Sequence, residues 1–154
     1  MLIITPAKFE QGNYKAYVIS YNFRMMNSQS SLYELIGGEA GLRKLVERFY
    51  DLIDSSPEAA QIRALHPKSL KQSREKFFMF LSGWSGGPQL YVEKYGHPRL
   101  RMRHMPFSIG IVERDQWIWC MNKALDEMQM DPAVVEHLKA RFAATADFLR
   151  NKRE

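Results

Sequence analysis

Leu42, Leu45, Val46, Phe49, Tyr50 and Ile53 fall at i, i+3, i+4, i+7, i+8 and i+11, the repeat of one apolar face of an α-helix. Such a face is stable only when buried against other elements, and the chain supplies partners of the same period. Leu70, Phe77, Leu81 and Trp84 form a second stripe, with Ser69 as the expected cap and Gly86-Gly87-Pro88 as the stop. Trp117, Met121, Ala124 and Met128 form a third. Val135, Leu138, Phe142, Ala146 and Leu149 form a fourth, opened by the cap-and-first-turn pair Asp131-Pro132. A short helix carrying Leu32, Leu35 and Ile36 starts at Ser31 and ends at Gly37-Gly38. Five helices with no internal repeat describe an all-α domain. One segment dissents: Arg99-Leu100-Arg101-Met102-Arg103 alternates, and its period alone reads as an edge strand.

With 154 residues, 45% of them hydrophobic and 12% aromatic, the chain has enough apolar material for one real core. The first 30 residues contribute little to it. They hold Tyr14, Tyr17, Tyr21 and Phe23 without a clear period, and they read as an N-terminal extension to a domain spanning 31–150. The formal net charge of +5 is not concentrated in any Lys/Arg block, which argues against a nucleic-acid arm. No run of 18 apolar residues exists to span a membrane. Pro6, Lys8 and Glu10 interrupt the apolar start, so it does not read as a signal peptide. The single cysteine, Cys120, excludes an intrachain disulfide and a CxxC zinc site. It lies on an apolar helical stretch as an inert core residue, and it suits a reducing, cytoplasmic setting.

Four histidines carry the candidate chemistry. His137, beside Glu136 and Lys139, reads as a solvated surface residue, and His97 in Gly96-His97-Pro98 as a turn residue. His66 precedes Pro67 and reads as helix-terminal. His104 sits in Arg103-His104-Met105-Pro106-Phe107, between basic and apolar residues; a lone histidine there is more often a satisfied structural group than a ligand. No HxxxH or carboxylate-rich spacing supports zinc or a di-iron site. Ser73 places a small hydroxyl on an apolar stripe, where it either bonds back to a carbonyl or faces a ligand. Tyr50 and Trp117 fall on inward stripes, each with one polar hydrogen that wants a partner.

Taken together, these residues resemble the truncated, two-on-two haemoglobins, specifically the group with a distal tryptophan, known as group II or O-type. The resemblance runs from about Ser31 to Phe148. It rests on Leu35-Ile36-Gly37-Gly38, on Arg48-Phe49-Tyr50 and on Trp84-Ser85-Gly86-Gly87-Pro88. Its most specific part is Gly96-His97-Pro98-Arg99-Leu100-Arg101-Met102-Arg103-His104-Met105-Pro106-Phe107, followed by Glu113-Arg114-Asp115-Gln116-Trp117. It implies a two-on-two helical sandwich around haem b, and a short helix bearing the iron ligand in place of the strand at 99–103. A haem iron needs only one protein ligand, most often a neutral imidazole, and the resemblance gives His104 that role. It places Tyr50, His66, Ser73, Phe77 and Trp117 around the distal ligand, with Ser73, Lys76, Tyr91 and Arg103 at the haem and its carboxylates. The implied ligands are dioxygen, CO and NO. Donors from Tyr50, Trp117 and His66 around one diatomic ligand favour slow release over transport. That points to oxygen, NO or peroxide redox chemistry, such as NO dioxygenation or a peroxidase-like activity, with electrons from an unidentified reductase. The alternative is a non-catalytic sensor or ligand store acting through a partner. The implied assembly is a monomer or weak homodimer.

Overall fold

A computed structural model describes residues 30–153. The extension expected at 1–30 therefore lies outside the described residues, apart from Ser30. Eight α-helices and one 3-10 turn make up the described chain: α1 Leu32–Ile36, α2 Gly38–Ser55, the turn Pro57–Ala59, α3 Ala60–Ala64, α4 Lys71–Trp84, α5 Leu90–Tyr95, α6 Leu100–His104, α7 Ile111–Asp126 and α8 Pro132–Phe148. There is no strand among the described residues.

The strand expected from alternation at 99–103 is instead helix α6. The alternation there reflects charges on a segment too short to show a helical period. The same reason explains why α3, α5 and α6 escape the five-helix reading: five or six residues cover less than two turns.

The caps follow the sequence at both ends of the domain. Ser31 Oγ accepts the Glu34 N–H at 3.3 Å while Glu34 Oε2 accepts the Ser31 N–H at 3.0 Å, a reciprocal box. Asp131 Oδ1 accepts the Ala133 N–H at 2.7 Å. Ser69 does not cap α4; Leu70 occupies that position without a side-chain bond, and buries its own side chain instead. Gly37 closes α1 at φ 104°, a conformation that a Cβ would strain. Close approach fixes Gly87, where a Cβ would lie 2.4 Å from the Tyr33 ring.

The core forms where α2 packs on both α4 and α7, and α7 packs on α8. All six residues of the first apolar stripe are buried, joined by Leu52. Met121, Ala124 and Leu138 are fully buried on the facing helices. Trp84 of α4 stacks on Phe142 of α8 at 4.7 Å between centroids and closes the far end. Cys120 is buried as expected, and burial pushes its thiol up to about 11, so it stays a protonated core group. No helix among the described residues is long and apolar enough to cross a membrane.

Candidate functional site

The stripe of α2 puts Tyr50 beneath α4, at 6% exposure. Arg74 draws the two helices together: it bonds the Glu47 carbonyl at 2.9 Å and Asp51 Oδ1 at 2.7 Å, and lies 5.7 Å from the Tyr50 ring centroid. Ser73 precedes Arg74 on the same turn of α4. Burial raises the Tyr50 pKa far above the ordinary range, offset in part by the Arg74 charge and by the Ser73 hydrogen bond.

Phe49 is the hub of this aromatic wall. Its ring lies 5.1 Å from Tyr50, 5.3 Å from Phe77 and 5.1 Å from Trp117. Phe77 closes the circuit at 6.0 Å from Tyr50 and 6.1 Å from Trp117, both edge-on. Gln116, next to Trp117 on α7, accepts the Gln61 and Ile62 N–H groups at 3.1 Å each, capping the open start of α3. Arg63 ties the turn after α3, bonding Asp54, the Pro67 carbonyl and the Lys68 carbonyl. These bonds carry His66 to the edge of the wall, 5.7 Å from the Tyr50 ring.

His66 Nδ1 lies 2.7 Å from the Ile62 carbonyl. A carbonyl only accepts, so Nδ1 carries the proton and the neutral ring has a bare lone pair at Nε2. Burial lowers the His66 pKa, opposed by the Ile62 carbonyl and reinforced by the Arg63 and His104 charges. At neutral pH this ring is an acceptor at Nε2; donation from that atom requires the charged form.

His104 is the last residue of α6, half-buried, with Nδ1 2.7 Å from the Leu100 carbonyl. The same logic fixes its tautomer and leaves the Nε2 lone pair as the free donor of the ring. Between α4, α5 and α6, three cationic and aromatic pairs gather. Lys76 lies 5.5 Å from the Tyr95 ring, Arg103 lies 5.8 Å from Tyr91, and the two tyrosine rings are 5.1 Å apart. Arg103 also donates from Nε to the Pro98 carbonyl at 2.9 Å.

The remaining histidines stay apart. His97 is exposed in a turn and accepts the Arg99 N–H at 3.1 Å. His137 is half-buried rather than solvated, and burial followed by the Arg141 charge lowers its pKa. Among the described residues no group of three His, Cys, Asp or Glu side chains could hold a metal ion.

Sequence reasoning named Tyr50, His66, Ser73, Phe77 and Trp117 as one group, and the fold brings the rings of Tyr50, His66, Phe77 and Trp117 together. It passed over Phe49 and Tyr95. Phe49 stood on the α2 stripe and in the Arg48-Phe49-Tyr50 motif, but neither says which member touches a site. Tyr95 lies in α5, which has no detectable period.

His66, one of the two tautomer-fixed imidazoles, lies at the edge of the aromatic wall. Comparisons with known proteins identify the family. The family model described as bacterial-like globin matches residues 31–151. The group 2 truncated hemoglobin YjbI of Bacillus subtilis (strain 168) is 37% identical over 130 residues, 84% of this chain and 96% of its own. The cold-adapted truncated hemoglobin of the Antarctic marine bacterium Pseudoalteromonas haloplanktis TAC125 superposes with a TM-score of 0.79 at 46% identity, over 80% of this chain and all of that one. The group II 2-on-2 hemoglobin of Agrobacterium tumefaciens gives a TM-score of 0.79 at 45% identity, over 81% and 97%. The chain belongs to the bacterial-like globin family and has the fold of its group II truncated, two-on-two haemoglobins.

Proposed function

We propose that the protein binds haem b through His104 and holds dioxygen and other diatomic ligands against Tyr50 and Trp117, with tight retention serving redox chemistry rather than transport. The observation that carries this reading is the His104 ring, whose Nδ1 is occupied by the Leu100 carbonyl at 2.7 Å, so that Nε2 is presented as a neutral imidazole ligand. The surrounding residues fit the group. Phe77, Tyr50 and Trp117 offer an apolar aromatic wall to a flat macrocycle, and Lys76 and Arg103 offer cations to its two carboxylates.

When bound, haem supplies the iron that binds diatomic ligands and exchanges electrons. The chain's own residues decide what happens to the ligand. The Tyr50 hydroxyl, kept protonated by burial, would donate a hydrogen bond to a diatomic ligand. The Trp117 indole N–H is a second donor on the same wall. His66 in its neutral form offers that ligand no proton from Nε2. The Phe49–Phe77–Trp117 packing gives these donors an apolar surrounding, which strengthens each hydrogen bond. A solved relative at 37% identity and a TM-score of 0.73, the truncated haemoglobin from Bacillus subtilis, is oxygen-avid, in keeping with this reading.

Absorption spectra of the purified protein, ferric, ferrous and CO-bound, test the proposal. Wild type gives a haem spectrum that His104→Ala loses. An unchanged ferrous and CO spectrum in that variant overturns the assignment. Turnover of nitric oxide or peroxide with a reductase present then separates redox chemistry from storage.

A further inference from the structure

Helix α6 is poorly equipped to hold a ligand in place by itself. It has five residues and none of its side chains is buried. Its N-terminal flank, Arg99, sits at φ 46° and provides no side-chain cap. A helix this short has no independent stability, so what fixes His104 must come from elsewhere in the chain.

It comes from beyond α8. The Asn151 amide donates from Nδ2 to the His104 carbonyl at 3.0 Å and to the Phe107 carbonyl at 2.9 Å. Its Oδ1 accepts the Ile109 N–H at 3.0 Å. The Ile109 carbonyl in turn accepts the backbone N–H groups of Asn151 and Lys152, at 2.9 and 3.1 Å. One primary amide thus uses both donors and its acceptor on the three residues that lead out of α6, a combination that Asp, Ser or Ala cannot reproduce. The strap is anchored on either side. Asp147 accepts from Arg114 of α7 at 2.6 Å, and Arg101 of α6 donates to the Phe148 carbonyl at 3.0 Å.

We infer that Asn151 is the positioning residue for His104, an inference that rests on reading His104 as the iron ligand. The His104 carbonyl and ring share one Cα, and the ring is already tethered to Leu100 at Nδ1. Holding the carbonyl therefore sets the height and tilt of Nε2. Without Asn151 the end of α6 can fray, and the imidazole loses its single orientation.

The test uses the full-length haem-loaded protein and four variants: Asn151→Ala, Asn151→Asp, Lys152→Ala and Arg48→Ala. Asn151→Asp keeps an acceptor for Ile109 but has no donors for His104 and Phe107, and it serves if the alanine variant folds badly. Lys152→Ala keeps its backbone bond. Arg48→Ala removes the remote ion pair with Glu127 and controls for a general loss of stability. The readouts are the iron–histidine stretching band of the ferrous protein and the rate of haem transfer to apomyoglobin. Both Asn151 variants are expected to shift or broaden the band and to speed haem loss about tenfold, as loss of a supporting bond to a metal ligand does. Lys152→Ala and Arg48→Ala keep the wild-type band. A wild-type band and transfer rate in both Asn151 variants, or an equal shift in Arg48→Ala, overturns the inference. His104→Ala is measured alongside: a band that survives there defeats the ligand assignment itself, whereas a band lost there but unmoved at Asn151 defeats only the positioning role.

Discussion

The two sides of the site are held in place by different physics. The wall of Tyr50, Phe77 and Trp117 stands on long helices, with Tyr50 buried, Phe77 and Trp117 half-buried against the core, and Phe49 within it 1% exposed. The segment around His104 has no buried side chain, and its Met105 is 59% exposed. Packing holds the first; hydrogen bonds accepted by the Leu100 carbonyl and donated by Asn151 and Arg101 hold the second. Packed cores are stiff and intolerant of lost volume, whereas a hydrogen-bonded strap is tolerant of side-chain volume and sensitive to single donors.

The sharpest way to break this contrast is at His104. Replacing it with alanine is expected to abolish the normal haem spectrum while the helical content of the apoprotein, measured by circular dichroism, stays near wild type. Collapse of the helices in that variant would mean that α6 belongs to the core after all. The converse test is Phe49→Ala, expected to cost about 3–5 kcal/mol of stability by denaturant titration. Met105→Ala, by contrast, should change the stability of the apoprotein by no more than about 0.5 kcal/mol. Similar losses at the two positions would erase the distinction.

Next in size are the distal donors. A hydrogen bond to a charged acceptor contributes about 1.5–3 kcal/mol, so Tyr50→Phe should speed oxygen release about ten- to hundred-fold in stopped-flow mixing. Trp117→Phe should act in the same direction, with some added effect from lost volume. Ser73→Ala leaves the Tyr50 donor in place and frees its rotation, for an expected change of about threefold. Release at the wild-type rate in both Tyr50→Phe and Trp117→Phe would mean that these donors point elsewhere.

The smallest effects concern His66. With Nδ1 committed to Ile62, its neutral ring offers no proton, so His66→Phe should alter oxygen release at pH 7.5 by less than about twofold. The same ring resists protonation in the fold and binds a proton at the ordinary 6.5 when unfolded. The unfolded chain therefore gains protons first as the pH drops, and stability declines below pH 6.5. His66→Phe should flatten that decline in acid titrations monitored by circular dichroism, and an unchanged slope would remove His66 from the account.

Much of this was legible in the sequence because helices announce themselves by period. The α2 stripe named Tyr50 and its neighbours together, and Ser31 and Asp131 marked their helix starts correctly. Ser69 did not, because Leu70 gained more from burial at that position than a cap would have supplied. The segment 99–103 misread as a strand, since five residues carry alternation and helix equally well. The resemblance to truncated haemoglobins corrected it, which shows motif order succeeding where local period fails.

The sequence by itself determined the all-α class, the inward faces of the long helices and the residue types available for chemistry. These depend on neighbours three and four apart, so they are written locally. Tertiary structure alone decided which ring nitrogen His66 and His104 keep free, and that Asn151 reaches back 47 residues to the carbonyl of His104. A hydrogen bond is a matter of angles and a few tenths of an ångström between groups distant in the chain, and no repeat in the sequence carries that information.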